Sequence, residues 1–318
     1  MRVLVTGATG LVGNALCPVL LAAGHEVIAA VRDPASPKIP SGVIARSVAD
    51  IGPDTDWTEA IANADAVVHL AARAHILQDR NKDPEAAFMR INADGTRRLA
   101  EAAAGATVKR FVYVSTVKVM GERSERPFTE TDTPHPEDAY GRSKLAGEEA
   151  LLEITDETEL EPVILRSPLV YGPNTKGNLV SLMKIFSMPL PLPFATVNNQ
   201  RSLINVNNLV GAVVAALSHK SAAGEVFFVR DGDDVSLPGL LRLVASSLGR
   251  PVRLFPVPTA LLRLAGTLTG KTAVMKRLLE NLQVDDGKIR RQLGWAPRFG
   301  IEQGLKEMAD WFTSGKQL

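Results

Sequence analysis

The chain has 318 residues, with 36 Lys plus Arg against 35 Asp plus Glu and a formal net charge of +1. That balance gives no electrostatic case for nucleic acid or for an anionic membrane, and 45% hydrophobic with 22% charged residues argues against disorder. At ~150 residues per domain the length fits two domains or one long α/β domain. The single cysteine, Cys17, excludes an internal disulfide and a multi-cysteine zinc site, and reads as a small buried residue.

Structure is expected from the first residues, with no room for a charged region ahead of an apolar signal. No run approaches 18 uninterrupted apolar residues: 207–217 is too short, and 257–274 is broken by Arg263 and Lys271. A cytoplasmic protein without membrane insertion is expected. Buried strands are predicted at 3–5, 27–31, 66–70, 111–114, 163–165 and 225–229, continuous in apolar character as parallel strands covered on both faces should be. Helical patterns at 11–23, 85–104 and 139–154 alternate with them. The alternation predicts an α/β fold, a doubly wound parallel sheet of Rossmann type. Three prolines within 187–193 interrupt regular structure, and from Leu237 the chain reads mainly as helices and loops. The expected division is a dinucleotide-binding domain at 1–172, rejoined by about 203–232, and a smaller substrate lobe from 173–202 and 233–318.

Gly7, Gly10 and Gly13 lie three apart between the first strand and the first helix. Glycine permits a sharp turn and close approach to a pyrophosphate, and N–H groups at the helix start, around Thr9, Gly10, Leu11 and Val12, face the anion. The spacing is one residue wider at the first gap than the usual dinucleotide fingerprint; the alternative is a structural turn. The second strand ends Val31-Arg32-Asp33. A carboxylate at Val31 would select NAD, whereas Arg32 suits a 2′-phosphate, so NADP(H) is favoured; Asp33 keeps NAD(H) open.

Tyr140 and Lys144 are four apart and share a helix face. A nearby ammonium favours tyrosinate, so the phenol pKa is expected to fall, and a tuned phenol can move a proton at a carbonyl or alcohol. A surface Tyr and Lys is the plainer alternative.

With the glycine turn, these residues resemble the extended short-chain dehydrogenase/reductase family of nucleotide-sugar epimerases, dehydratases and ketoreductases. The likeness continues through His69-Leu70-Ala71-Ala72, Asn92-Ala93-Asp94-Gly95-Thr96, the serine-bearing segment 111–121, Arg166-Ser167-Pro168-Leu169-Val170-Tyr171-Gly172-Pro173, and Leu293-Gly294-Trp295. The resemblance implies that Tyr140 is the general acid/base and that Lys144 binds the nicotinamide ribose. Thr116 aligns best as the third member, with Ser115 as the other candidate. It places Asp50 and Ile51 near adenine, and Leu70, Ala71, Ala72 and Asn92 beside the cofactor. Asn178 and Arg201 resemble the groups that hold a sugar nucleotide's diphosphate; the alternatives are a helix cap and a surface salt bridge. The resemblance also implies a homodimer built on the helices at 85–104 and 140–154.

Thr116 is followed by Val117-Lys118, without the acidic pair of a 4,6-dehydratase. Met120 stands where 4-epimerases commonly carry tyrosine, and Asn205-Val206-Asn207-Asn208 replaces H-V-x-D. The loss of that His and Asp weakens the substrate assignment, while Val31-Arg32 and Met120 favour 4-keto reduction of a UDP-4-keto-6-deoxy-N-acetylhexosamine, as in the bacterial 4-reductases that the segment resembles; a UDP-hexose 4-epimerase and a non-enzymatic NADP-binding sensor are the alternatives. The five scattered histidines suggest no metal.

Overall fold

Val3, Leu4 and Val5 are all fully buried, so the first strand has no solvent face. A computed structural model describes residues 1–74, 83–175, 177–186 and 191–315; His75, the side chain of Asn178 and part of the proline-rich stretch at 187–193 lie outside these. In chain order the elements are β1 (Arg2–Thr6), α1 (Leu11–Ala22), β2 (Glu26–Val31), β3 (Ile44–Ser47), α2 (Thr58–Ile61), β4 (Ala66–His69), α3 (Pro84–Met89), α4 (Gly95–Gly105), β5 (Arg110–Thr116), α5 (Ala139–Asp156), β6 (Glu161–Ser167), β7 (Leu169–Tyr171), α6 (Asn178–Ile185), β8 (Leu203–Asn205), α7 (Val206–Ser218), β9 (Glu225–Phe228), α8 (Leu237–Ser247), α9 (Thr259–Leu268), α10 (Thr272–Leu279), α11 (Gly287–Leu293) and α12 (Ile301–Thr313).

Seven strands form a parallel sheet in the order β3-β2-β1-β4-β5-β6-β9, and β7 pairs with β8 in a separate parallel ribbon. The chain leaves β1 toward β2 and β3, then returns to place β4 on β1's other side. That reversal opens a crevice at the carboxyl ends of β1 and β4, where open α/β sheets bind ligands.

Side chains alternate across each strand, so two cores form. Val3, Val5, Ala29, Val68 and Val163 pack with α1 and α7 on one face, and Leu4, Ile28, Val67, Phe111 and Ile164 pack with α4 and α5 on the other. Cys17 is fully buried in the first core, and burial pushes its thiol up to about 11. A third core joins Tyr171, Met183, Leu203, Leu241 and Leu305 from β7, α6, β8, α8 and α12. We propose a division into a sheet lobe and a lobe around this third core. Ile289, Leu293 and Trp295, expected with the C-terminal lobe, pack instead in the first core with Phe227 and the α7 residues, because their apolar faces cover β9 and α7.

The helix predicted at 85–104 is not continuous. A π-helical turn, Arg90–Asp94, separates α3 from α4 and carries the buried side chain of Asn92 inward. β3, β7 and β8 escape the periodicity reading because each has only three or four residues and β3 is half exposed.

The turn between β1 and α1 admits no side chain at two glycines. Gly7 sits at φ +70°, and a Cβ there would lie 2.9 Å from the Ala71 nitrogen. A Cβ on Gly13 would lie 2.3 Å from the Gly7 oxygen and 2.5 Å from the Ala8 Cα. Both neighbours are backbone and cannot swing aside. Gly13→Ala should therefore destabilise the protein by ~1–3 kcal/mol, read by urea unfolding; an unchanged midpoint would contradict this close packing.

Candidate active site

The crevice is built by backbone first. Gly10 caps α1 without a side-chain hydrogen bond, and among the described residues no side chain claims the N–H groups at the helix start. Thr9, Leu11 and Val12 belong to this turn, and Leu70, Ala71 and Ala72 follow β4 directly opposite it, with the Leu70 N–H donating to the Thr6 carbonyl at 3.3 Å. A helix N-terminus with unclaimed donors beside a glycine turn that excludes any Cβ fits a dinucleotide pyrophosphate.

The floor of the crevice is a polar chain. The Thr96 hydroxyl donates to the Asn92 carbonyl at 2.7 Å, so it accepts from His69 Nε2 at 3.1 Å. His69 Nδ1 is then the acceptor from the Thr6 hydroxyl at 2.6 Å, and Thr6 Oγ1 accepts in turn from the N–H groups of Leu70 and Ala71, both at 3.2 Å. His69 is buried and stacks on Tyr113. Burial, and then the charge of Lys144, hold its pKa down to about 3. Asn92 spends its amide on protein: it accepts from the Arg73 N–H at 2.8 Å and donates to the Arg73 carbonyl at 3.1 Å and to Ser143 Oγ at 2.9 Å. It fixes the segment after β4 against α5, a positioning task that sequence reasoning did not assign.

Arg32 and Asp50 follow β2 and β3, and Ile51 is next to Asp50. Arg32 and Asp50 meet at 3.3 Å, with side chains 80% and 82% exposed. The guanidinium expected to meet a 2′-phosphate faces a carboxylate, so the structure gives no support to a preference for NADP(H).

At the other rim, Asp138 caps α5 by accepting from the Gly141 N–H at 2.7 Å, and Lys118 Nζ donates both to Asp138 and to Glu122. A Cβ on Gly141 would lie 2.6 Å from the Lys118 oxygen, so the residue after Tyr140 must be glycine. The α5 start thus sets down against the end of β5, bringing Tyr140 and Lys144 to the strand that carries Ser115 and Thr116.

The electrostatics differ from the sequence expectation. Lys144 is buried, its Nζ donates to the Val114 carbonyl at 2.9 Å, and it stands 3.8 Å from the Tyr113 ring centroid. Burial brings its pKa down to about 7, opposed by Glu148. Tyr140 is half-buried beside Phe88, and its phenol is held above the ordinary range, first by burial and then by the Asp138 charge. The expected lowering of Tyr140 by Lys144 is therefore corrected, because the ammonium is directed at Val114.

The two candidate hydroxyls separate by their hydrogen bonds. Ser115 donates to Glu148, which leaves no O–H for a ligand. Thr116 accepts from the Lys118 N–H at 3.3 Å, and its own O–H has no acceptor among the described residues. Glu148 lies one turn beyond Lys144 and also accepts from Arg166, at 2.6 Å from Nη2. Its i+4 spacing from Lys144 was a signal that sequence reasoning passed over. Asn178 is the first residue of α6, after the Gly177 cap. Arg201 makes no ion pair among the described residues; its Nη1 donates to the carbonyls of Arg277 at 2.8 Å and Glu280 at 3.1 Å, and burial lowers its pKa.

A parallel sheet with a glycine-lined crevice, and a hydroxyl, a phenol and an ammonium at its edge, defines a dinucleotide-dependent oxidoreductase of the short-chain dehydrogenase/reductase class. The family model for the NAD dependent epimerase/dehydratase family matches residues 3–229, and the chain belongs to that family. A Vibrio cholerae protein named UDP-glucose 4-epimerase is 39% identical over 314 residues, covering 98% of this chain and 95% of that protein. The solved structure of a Thermus thermophilus UDP-glucose 4-epimerase in complex with NAD is 25% identical, with TM-score 0.79 over 99% of this chain and 100% of that one. MoeE5, solved with UDP-glucuronic acid and NAD, is 26% identical, with TM-score 0.79 over 99% of each chain.

Two measurements check this site. Glu148 and Arg166 are 2% and 7% exposed, and removing one partner of a buried pair costs ~3–5 kcal/mol. Glu148→Gln should lose that much in urea unfolding, and a loss near zero would show that the pair holds nothing. His69 refuses a proton until about pH 3, whereas the unfolded chain takes one near the ordinary histidine value of 6.5. Between those values the unfolded state binds more protons, so stability should fall as pH falls, by up to ~1.4 kcal/mol per pH unit from this group. His69→Gln should flatten that slope; an unchanged slope would refute the buried neutral imidazole.

Proposed function

We propose that this protein inverts the C4 configuration of a UDP-hexose with NAD as its resident dinucleotide. The observation that carries the reading is the 39% identity to the Vibrio cholerae UDP-glucose 4-epimerase, across 98% of this chain. The geometry supports it, because β5, which carries Thr116, packs against α5, which carries Tyr140 and Lys144.

In this reading Thr116 donates its uncommitted O–H to the sugar's O4, and Tyr140 takes the O4 proton and later returns it. When bound, the nicotinamide would supply the acceptor and donor of the C4 hydride. Lys144 holds the nicotinamide ribose; its pKa of about 7 leaves it ready to recharge when anionic or hydroxyl partners arrive. The α1 start holds the pyrophosphate, and Arg32, Asp50 and Ile51 border the adenosine end. Asn178 and Arg201 grip the sugar diphosphate, for which Arg201 keeps Nε and Nη2 without a protein acceptor among the described residues. A homodimer through α4 and α5 and a cytoplasmic location belong to the same proposal.

A second reading, one-way reduction of a UDP-4-keto-6-deoxy-N-acetylhexosamine, is favoured by the residues that depart from 4-epimerases. Met120 is buried with Sδ 3.3 Å from Arg166 Nη1. Asn205 caps α7, and Asn208 bonds Asp231 and the Phe299 carbonyl. One assay separates the readings. Purified protein with UDP-glucose and catalytic NAD should form UDP-galactose without net change in reduced nicotinamide, and Tyr140→Phe should slow this by at least ~100-fold. Stoichiometric consumption of NADH or NADPH with the 4-keto sugar, and no inversion, would replace epimerisation by reduction. Neither reaction would reject both.

A further inference from the structure

The near-neutral chain hides a strong segregation of charge. Residues 235–279 contain seven Lys or Arg and no Asp or Glu, so this stretch carries +7 while the remainder carries a net −6. All seven basic residues are exposed. Arg263 pairs with Glu280 and Arg277 with Glu122, both outside the stretch. Arg250, Arg253, Lys271 and Lys276 make no ion pair among the described residues.

The same stretch holds most of the large apolar side chains left in water. Leu261, Leu264 and Leu268 of α9 are 55%, 54% and 78% exposed, and Val274 of α10 and Phe255 are 47% and 43% exposed. At about 100° per residue, the three leucines form one stripe. The residues that seat α9 on the protein, Leu262 and Gly266, lie well round the helix from that stripe. Gly266 lets Met275 of α10 approach so closely that a Cβ would lie 2.4 Å from Met275 Cγ, so the two helices form one packed hairpin. An apolar stripe with the unpaired cations Lys271 and Lys276 on the same hairpin, on a helix too short to cross a bilayer, is built to lie in an anionic lipid interface. Among the described residues no helix is long and apolar enough to span.

We propose that the α9–α10 hairpin docks this protein peripherally on a membrane surface rich in anionic phospholipid, with Leu261, Leu264 and Leu268 entering the headgroup boundary and Lys271 and Lys276 above the phosphates. A net charge near zero does not speak against such docking, because a bilayer meets one face and not the average. The proposal does not depend on the substrate.

The test is co-sedimentation of the full-length protein with vesicles of phosphatidylcholine alone or of equimolar phosphatidylcholine and phosphatidylglycerol. Binding is expected only to the anionic vesicles and should weaken in high salt, where screening shortens the range of each charge. Each basic residue near such a surface strengthens binding roughly fivefold, so Lys271→Glu with Lys276→Glu should weaken it by roughly 25-fold or more. Leu264→Glu with Leu268→Glu should abolish it, with turnover of the soluble substrate unchanged in both variants. No binding to anionic vesicles by the unaltered protein overturns the proposal, as does binding that survives the leucine substitutions. So does a leucine double variant that dissociates a dimer in gel filtration while the parent ignores vesicles; the stripe then covers a second copy.

Discussion

A buried carboxylate organises the catalytic edge of this molecule. Glu148 sits almost out of reach of water, and Arg166 from β6 and Ser115 from β5 both donate to it. Neither charge could stay there alone, since an isolated buried ion costs several kcal/mol or more. The pair therefore obliges α5 to lie at one height against β5 and β6. Tyr140 and Lys144, two turns and one turn earlier on α5, take their places from that anchor. Ser115 is consumed in making it, which leaves Thr116 as the hydroxyl able to serve a ligand.

The opposite wall depends on polar groups that satisfy one another without charge. His69, Thr6 and Thr96 form a closed chain whose donors and acceptors all match, and the same Thr6 oxygen receives the backbone of Leu70 and Ala71. Asn92 repeats the device on the Arg73 backbone and ties it to Ser143 on α5. These bonds are made among the protein's own groups and need no ligand to complete them, and such preorganisation lowers the ordering cost of binding. The π-helical turn at Arg90–Asp94 is the local concession that points Asn92 inward.

The sheet was legible because six of its strands are apolar on both faces and alternate with helices, a pattern that parallel packing imposes. The glycine turn and the Tyr140–Lys144 spacing were legible because each is a short local pattern with a steric or electrostatic reason. What escaped was non-local. Nothing near Glu148 in sequence announces Arg166, 18 residues on, or Ser115, 33 residues before. Arg32 looked like a free cation until Asp50, on another strand's end, came beside it. The direction of Lys144 toward Val114 could not be read from a helix wheel that placed it beneath Tyr140. Net charge likewise conceals distribution, since it averages over the seven basic and no acidic residues of 235–279.

In the proposed reaction Tyr140 and Thr116 handle a proton on oxygen, while the hydrogen on C4 leaves and returns as hydride without meeting water. The most direct measurement is isotopic: UDP-glucose deuterated at C4 is incubated with the protein and NAD, and the UDP-galactose formed is analysed for label. Deuterium retained at C4 is the expected result. Inversion with the label lost to solvent would mean that a base removes a proton from carbon, and would contradict the proposed roles of Tyr140, Thr116 and the dinucleotide crevice.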